Sequence, residues 1–247
     1  MFTLENLVKR YSTGVLALDG LNAEIAPGEF VALLGPSGCG KSTLLRLLAG
    51  LEAPSSGQLA WDGHNGAPGP GEVGFVFQDA TLLPWATAAE NVYLPLKLRH
   101  VARQEATAKV EAALAQVGLS EFANARPKGL SGGMKMRVSI ARALVSEPIL
   151  LLMDEPFAAL DEFTRHRLQD DLLALWARTG KTIVFVTHSI YEAAYLANRI
   201  LVMSPRPGKI AVDLKATLPM GPHRRVSGEY TALVERITGC FKEIMPL

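Results

Sequence analysis

The stretch Gly35-Pro36-Ser37-Gly38-Cys39-Gly40-Lys41-Ser42-Thr43 decides the fold, because its spacing G-x-x-x-x-G-K-[ST] lies between a strand pattern and a helix pattern. The apolar run at residues 30–34 precedes it, and strong helix formers at residues 44–49 follow it. Glycines allow a backbone to turn its N–H groups inward, and a helix N-terminus favours an anion. The stretch therefore predicts a phosphate-binding loop. A strand–turn–helix that is merely glycine-rich is the less favoured alternative.

Three side chains of this loop could bind phosphate, bind metal or react. Lys41 is long enough to reach β- and γ-phosphates, and the Ser42 hydroxyl suits Mg²⁺. Cys39 is either a reactive thiol at a helix N-terminus or a small residue in a loop that binds through its backbone. The second interpretation is preferred.

The composition is that of a globular protein that binds no nucleic acid. The 247 residues are 49% hydrophobic and 20% charged, and the formal net charge of +1 offers no basic surface for nucleic acid. The two cysteines suggest neither a disulfide framework nor a metal site, which fits a reducing compartment. No apolar run approaches the roughly 20 residues that span a bilayer. We expect a soluble chain, or one held at a membrane by a partner.

A second chemical signal is the apolar run at residues 149–153, which ends in Asp154 and Glu155. A wholly apolar strand is typical of a sheet covered on both faces. Together with the phosphate loop, this pattern assigns Asp154 to Mg²⁺ and Glu155 to the attacking water. Without that loop, two solvated acids at a strand end would be the better interpretation.

Polar residues end two other predicted strands. Gln78 follows the strand at 73–77, and His188 follows the strand at 181–187. Ligands collect beyond the carboxyl ends of such strands, so Gln78 is a candidate to contact metal or water, although a loop glutamine in solvent is the commoner case. A lone histidine is more often structural, but His188 shares this strand-end edge with Gln78, Asp154 and Glu155 and is a candidate to contact a γ-phosphate. Tyr11 is compatible with either base stacking or ordinary packing.

The run Leu130-Ser131-Gly132-Gly133-Met134 opens another helix. Ser131 is a suitable N-cap, and the glycines leave the helix N-terminus uncovered. This is a second potential phosphate site in a chain that has one phosphate loop. Its simpler interpretation is a glycine-rich helix start.

The order of elements predicts an α/β fold with an N-terminal antiparallel β portion and a helical insertion. Thr87 and Glu90 form a capping-box pattern, as do Ser189 and Glu192. We predict one domain over 1–247: a catalytic core at about 1–85 and 142–220, a helical subdomain at about 86–141, and a short tail at about 221–247. A glycine- and proline-rich surface loop is expected at 63–72.

Taken in order, these motifs resemble those of the ATP-binding subunits of ABC transporters. The phosphate loop is similar to Walker A, Gln78 to the Q-loop, Leu130–Met134 to the signature, residues 149–155 to Walker B, Asp161 to the D-loop aspartate and His188 to the switch histidine. The signature and His188 are specific to this class. The resemblance implies a P-loop NTPase (RecA-like) core with an inserted helical subdomain, and it assigns Tyr11 to base stacking.

The resemblance also implies ATP and Mg²⁺ as cofactors and a head-to-tail dimer that closes over ATP. The implied catalytic residues are Glu155, His188, Lys41 and Gln78. The implied metal ligands are Ser42, Gln78 and Asp154. Nucleotide binding falls to Tyr11, Gly35, Pro36, Ser37, Gly38, Cys39, Gly40, Lys41, Ser42 and Thr43. Contacts to the nucleotide of the partner subunit fall to Ser131, Gly132, Gly133, Met134 and Asp161.

Within the class, the chain is similar to the ATPases of nitrate/sulfonate/taurine-type importers, through Leu82-Leu83-Pro84-Trp85 after Gln78, through Leu130–Met134 and through residues 154–161. This implies a second copy of the chain, membrane permease subunits and an extracytoplasmic solute-binding protein as partners, at the cytoplasmic side of the inner membrane. The cargo would be nitrate, bicarbonate, a sulfonate, taurine or a pyrimidine precursor. Met134 and Met136 depart from the usual signature glutamines, which leaves contacts to the partner nucleotide open.

Two alternatives remain. A soluble ABC ATPase of the cluster-assembly type has a similar size and would lack the membrane partners. A module that binds ATP without hydrolysis would carry damaged catalytic residues, whereas Lys41, Ser42, Asp154, Glu155 and His188 are all intact.

Overall fold

A computed structural model describes residues 1–62, 64–66, 68–69, 71–219, 221 and 223–244. Parts of the predicted loop at 63–72 and of the predicted tail at 221–247 lie outside the described residues. The chain divides into two compact units, residues 1–68 with 182–247 (the first unit) and residues 69–181 (the second unit). The predicted subdomain boundaries stay predictions.

The first unit contains most of the strands. Its elements are β1 (Phe2–Arg10), β2 (Leu16–Ile25), β3 (Phe30–Leu34), α1 (Lys41–Leu48), β4 (Ser56–Trp61) and β5 (His64–Asn65), followed after residue 181 by β8 (Thr182–Thr187), α6 (Ile190–Leu196), β9 (Arg199–Met203), β10 (Ile210–Lys215) and α7 (Gly228–Ile244).

These strands form two arrangements within the first unit. An antiparallel sheet has the order β2-β1-β4-β5. Separately, β3 pairs in parallel with β8 on one side and with β9 on the other, and β10 pairs antiparallel with β9. All residues of β3 and β8 are buried, as the continuous apolar runs predict.

The second unit contains a parallel strand pair and the helices of the middle of the chain. Its elements are β6 (Val73–Val76), α2 (Ala88–Leu98), α3 (Arg103–Gln116), α4 (Gly132–Leu144), β7 (Leu150–Asp154) and α5 (Glu162–Thr179). Helices α2, α3 and α4 share an apolar cluster that includes Val92, Val110, Leu114 and Val138. The helical middle and the N-terminal antiparallel strands are thus both present as predicted.

The sequence also predicts a strand at 21–25, a helix from about residue 88 that Pro95 shortens or kinks, and an amphipathic helix near residues 230–237, and each of these elements is longer in the structure. The strand expected at 21–25 begins at Leu16, because Gly20 adopts a φ of 64° that lets the strand pass a position where the apolar pattern breaks. Pro95 lies inside α2, which continues three residues beyond it. The C-terminal helix is longer than the stretch expected near residues 230–237, and its buried residues Leu233 and Ile237 fall in that stretch.

Candidate nucleotide-binding site

The phosphate loop lies between the buried strand β3 and helix α1, which begins at Lys41. Gly38 and Gly40 adopt φ values of 76° and 105°, a region that L side chains rarely enter. A Cβ atom on Gly40 would also lie 2.6 Å from Leu18 Cδ2 and 2.9 Å from the Ala17 carbonyl oxygen. Conformation and space therefore both require glycine at position 40.

Lys41 points into the loop that it follows. Its side chain is 5% exposed, and Nζ donates hydrogen bonds to the carbonyl oxygens of Gly35 (2.7 Å) and Pro36 (3.0 Å). The first turn of α1 contains no acidic residue to compete with an anion for the helix dipole. A cationic amine and an open helix N-terminus therefore lie at one loop.

Cys39 is a packing residue of this loop. It is buried, and burial raises the pKa of its thiol, although the charge of Lys41 acts in the opposite direction. The thiol is therefore protonated at neutral pH, which supports the preferred interpretation over that of a reactive nucleophile.

Tyr11 follows β1 and is tied to the loop through its hydroxyl group. The hydroxyl lies 3.2 Å from Thr43 Oγ1 and donates to Glu52 Oε1 at 3.3 Å, while Lys9 Nζ lies 5.3 Å from the ring centroid. Burial alone would raise the pKa of Glu52. Hydrogen bonds from Lys9 and Tyr11 together with the Lys9 charge outweigh burial and lower that pKa. The carboxylate therefore stays ionised and holds the Tyr11 hydroxyl in place.

His188 leaves the sheet beside the phosphate loop. In the parallel pair of β3 and β8, Leu34 lies opposite Thr187. The first residue of the loop and the exposed His188 each come directly after one of these two paired residues. His188 and the phosphate loop therefore follow the same end of one parallel strand pair within the first unit. Tyr11, the loop and His188 are thus in one unit.

In the second unit, an amide and two carboxylate side chains likewise follow the ends of a parallel strand pair. In the parallel pair of β6 and β7, Val76 lies opposite Met153, so Gln78 and Asp154 both follow the same end of the pair. Glu155 has a φ of 46°, an uncommon left-handed conformation for a residue with a side chain. Such backbone strain is concentrated at functional sites, which fits the predicted role of Glu155.

The signature opens helix α4 as the sequence predicts. The Ser131 hydroxyl accepts a hydrogen bond from the Met134 N–H at 3.2 Å, and Ser131 and Gly132 are exposed. Gly133 is buried, and a Cβ atom there would lie 2.6 Å from Thr164 Cγ2 of α5, so the close packing of the two helices favours glycine. Met134 packs in part against the apolar cluster of the helices, which explains an apolar residue at this position.

Asp161 is the N-cap of α5. Its Oδ1 accepts a hydrogen bond from the Thr164 N–H at 2.9 Å, and this bond holds the pKa of the exposed carboxyl group below its usual range. The residue therefore has a local structural role, whatever it contacts on another subunit.

The two capping-box predictions have different outcomes. Thr87 and Glu90 form the reciprocal pair, with hydrogen bonds of 3.2 Å and 2.8 Å. Ser189 does cap α6, but Glu192 accepts a hydrogen bond from the Thr187 hydroxyl at 2.6 Å. The prediction of a second capping box is therefore wrong. In a capping box the Ser189 N–H would donate to the Glu192 carboxylate, but it donates to Thr187 Oγ1 instead.

Two residues that order the loop after Gln78 were missed by sequence reasoning. Asn91 is fully buried, accepts from the Leu83 N–H at 2.7 Å and donates to the carbonyl oxygens of Leu83, Ala86 and Thr87. Arg142 donates to the carbonyl oxygens of Ala80 and Thr81, each at 2.9 Å. Both side chains bind backbone atoms, either far away in the sequence or within a turn. No sequence motif therefore predicts the roles of Asn91 and Arg142.

The predicted metal ligands have the chemistry that Mg²⁺ prefers. A hydroxyl, an amide oxygen and a carboxylate are hard oxygen donors, and Ser42, Gln78 and Asp154 supply one each. The described residues contain no cluster of three or more His, Cys, Asp and Glu that would favour another metal. The residues present therefore fit Mg²⁺.

Comparisons with known proteins identify the family of this chain. The family described as "ABC transporter" matches residues 18–158. A taurine import ATP-binding protein of Rhizobium johnstonii is 49% identical over 81% of this chain and 77% of its own length. An aliphatic sulfonates import ATP-binding protein of Bacillus cereus is 42% identical over 92% of this chain and 89% of its own. A dimeric ATP-binding cassette solved in a post-hydrolysis state with ADP and Pi is 36% identical over 88% of this chain and 99% of its own, with a TM-score of 0.76.

The chain therefore belongs to the ABC transporter family. It has the P-loop NTPase fold predicted for it, and it is an ATP-binding, ATP-hydrolysing subunit of the importer type. The soluble, non-transport alternative is not favoured. No helix among the described residues combines the length and the apolar character needed to cross a membrane.

Proposed function

We propose that this subunit powers the uptake of a small sulfonate such as taurine or an alkanesulfonate. The proposal is supported by the two relatives named for import of taurine and of aliphatic sulfonates, which align over 81% and 92% of this chain. Nitrate, bicarbonate and pyrimidine precursors remain the other cargo classes. Uptake of labelled taurine by cells with and without the gene tests the proposal, with labelled nitrate as the comparison. Taurine uptake that is unchanged by deletion would contradict it.

Each half of the site has a proposed part in ATP hydrolysis. The backbone N–H groups of the loop and Lys41 bind the β- and γ-phosphates, and Tyr11 stacks on the base. Glu155 orients and polarises the attacking water, and His188 contacts the γ-phosphate. Mg²⁺, when bound through Ser42, Gln78 and Asp154, neutralises charge on the phosphates. These roles are supported by the family membership and by the strand ends from which the side chains arise.

A second copy of the chain completes the site in this proposal. Ser131, Gly132, Gly133, Met134 and Asp161 face the nucleotide held by the phosphate loop of the partner. The exposure of Ser131 and Gly132 supports this role, as does the dimeric state of the similar cassette solved with ADP and Pi. ATP would then favour the closed dimer because only that state binds both faces of the nucleotide.

The permease subunit docks on the segment after Gln78 in this proposal. Trp85 is 70% exposed although Asn91 orders the loop that carries it, and a fixed exposed tryptophan is an efficient interface anchor. Leu82 instead packs against the helical cluster and covers the core. In the second unit, a groove of about 390 Å³ is lined by apolar residues such as Phe77, Pro95 and Leu98, together with two arginines, Arg99 and Arg142. Such a docking would place the chain at the cytoplasmic face of the membrane, with the solute-binding protein on the other side.

Phosphate release by the assembled transporter tests the catalytic assignment. Glu155→Gln removes a general base and should slow turnover by at least about 100-fold while ATP still binds and traps the dimer. Lys41→Ala should lose ATP binding. Glu162→Gln is the matched control, since Glu162 is an exposed carboxylate in the first turn of α5. Unchanged turnover in Glu155→Gln would refute the assignment.

A further inference from the structure

The turn formed by residues 204–209, which joins β9 to β10, packs against the outside of the phosphate loop. The Gly208 N–H donates to the Ala17 carbonyl oxygen at 2.9 Å, and the Gly208 carbonyl oxygen accepts from the Asp19 N–H at 3.1 Å. A Cβ atom on Gly208 would overlap the Cys39 carbonyl oxygen. The turn therefore touches the loop backbone, and glycine at position 208 permits this contact.

Arg206 makes a second contact from the same turn. Its Nε donates a hydrogen bond to the Gly38 carbonyl oxygen at 3.2 Å, across 168 positions of sequence. Its Nη2 would lie 3.2 Å from a Cβ atom on Gly38. Two consecutive carbonyl groups of the loop thus lie on the side of the turn: that of Gly38 accepts a hydrogen bond from Arg206, and that of Cys39 packs closely against Gly208.

The turn is ordered by bonds of its own. The Ser204 hydroxyl shares its one proton between the carbonyl oxygens of Pro205 (3.1 Å) and Pro207 (3.3 Å) and accepts a hydrogen bond from the Lys209 N–H at 3.1 Å. The Ser204 N–H donates to the Lys209 carbonyl oxygen at 2.9 Å. Proline rings on both sides of Arg206 restrict φ and reduce the freedom of the backbone. The backbone that carries Arg206 is therefore restricted before the side chain reaches Gly38.

Holding a carbonyl group fixes the N–H group of the same peptide. In a trans peptide the two point in opposite directions, so carbonyls held on the side of the turn direct the N–H groups of Cys39 and Gly40 to the other side. The Cys39 N–H accordingly points across the loop, where it donates a hydrogen bond to the Pro36 carbonyl oxygen with an N···O distance of 3.3 Å. Inward N–H groups are what a loop of this kind offers to phosphate.

We propose that Arg206 is a positioning residue for the nucleotide phosphates, which acts by holding the Gly38–Cys39 peptide in the orientation that binds anions. This inference rests on the proposed role of the phosphate loop. Arg206 lies outside the motifs that identify the family, and its position between two prolines gives no sign of its partner. Its cationic group also adds positive charge beside the loop.

Nucleotide affinity of the full-length protein tests the proposal, measured with a fluorescent ADP analogue together with KM and kcat for ATP. Arg206→Ala should weaken affinity and raise KM about three- to tenfold, the size of one hydrogen bond, with kcat changed less than about twofold. Because Arg206 is exposed, the thermal midpoint should not move. Arg206→Lys, which keeps the charge but not the Nε geometry, should recover only part of the affinity.

Lys209→Ala is the matched control. It removes a positive charge from the same turn, but its Nζ pairs with Asp19 at 2.8 Å and not with the loop. Affinity of Arg206→Ala within about twofold of the unaltered protein, or an equal loss in Lys209→Ala, would overturn the proposal. Lys41→Ala distinguishes failure of the proposed phosphate loop from failure of the inference about Arg206. If Lys41→Ala retains affinity for the ADP analogue, the assignment of the loop fails. If it loses affinity while Arg206→Ala does not, only the inference about Arg206 fails.

Discussion

The buried signature glycine offers a sharp test of packing between α4 and α5. In Gly133→Ala, the new Cβ would lie 2.6 Å from Thr164 Cγ2 and 3.8 Å from Leu168 Cδ1. Carbon atoms pack best at about 3.5–4.0 Å, so the methyl of Thr164 must move by about 1 Å. Such overpacking costs about 1–3 kcal/mol, against a gain of up to about 1 kcal/mol in helix propensity. We expect a net loss of roughly 1 kcal/mol in the free energy of unfolding.

Gly132→Ala is the control for this change. A Cβ atom there would lie 3.6 Å from Leu160 Cδ2, which is ordinary van der Waals contact. The same gain in propensity then has nothing to offset it, so this variant should be as stable as the unaltered protein or more stable by up to about 1 kcal/mol.

A double-mutant cycle identifies the atom responsible. Thr164→Ser deletes only the methyl group that the new Cβ would meet, while the N–H that binds Asp161 remains. In the Gly133→Ala background this change should recover about 1 kcal/mol relative to its effect alone. Urea denaturation of the four proteins measures the cycle. Gly133→Ala as stable as Gly132→Ala, or a cycle without coupling, would refute the reasoning.

Three further outcomes follow from other parts of the site. Glu155→Gly should be more stable to urea than Glu155→Ala by about 0.5–1 kcal/mol, because the left-handed φ penalises a Cβ atom more than glycine entropy costs; the reverse order would contradict the strain. Asn91→Leu should lose about 1–3 kcal/mol in the same assay by unpairing buried backbone groups, whereas the exposed Asn124→Leu should change little. The lowered pKa of Glu52 contributes stability at neutral pH that disappears as pH falls through the folded-state value, so the unfolding difference between the unaltered protein and Glu52→Gln should shrink below about pH 4; a difference that is constant with pH would show that Glu52 titrates as it does when unfolded.

Sequence reasoning succeeded where the physical cause is local. The phosphate loop, the Thr87 capping box and the strand ends at Gln78, Asp154 and His188 all follow from a few adjacent residues. The capping-box prediction for Glu192 failed because the Thr187 hydroxyl, which lies outside the predicted box, donates a hydrogen bond to the Glu192 carboxylate.

What escaped prediction depends on contacts between distant segments. Gly38 and Arg206 are 168 positions apart, and Thr81 and Arg142 are 61 positions apart. Nothing in either segment signals the other, since the acceptors are backbone carbonyl groups that every residue has. The left-handed φ of Glu155 could not be predicted from the sequence either, because glutamate is not a residue type that favours this conformation.

The hydroxyl contact between Tyr11 and Thr43 has a consequence for the choice of nucleotide. Thr43 is the last residue of the phosphate loop, and the ring of Tyr11 is the proposed platform for the base. In the proposed binding mode, this hydrogen bond therefore fixes the distance between the platform for the base and the loop for the phosphates. A ring face makes no hydrogen bonds to the edge of a base, so in this proposed binding mode Tyr11 would not distinguish one purine from another.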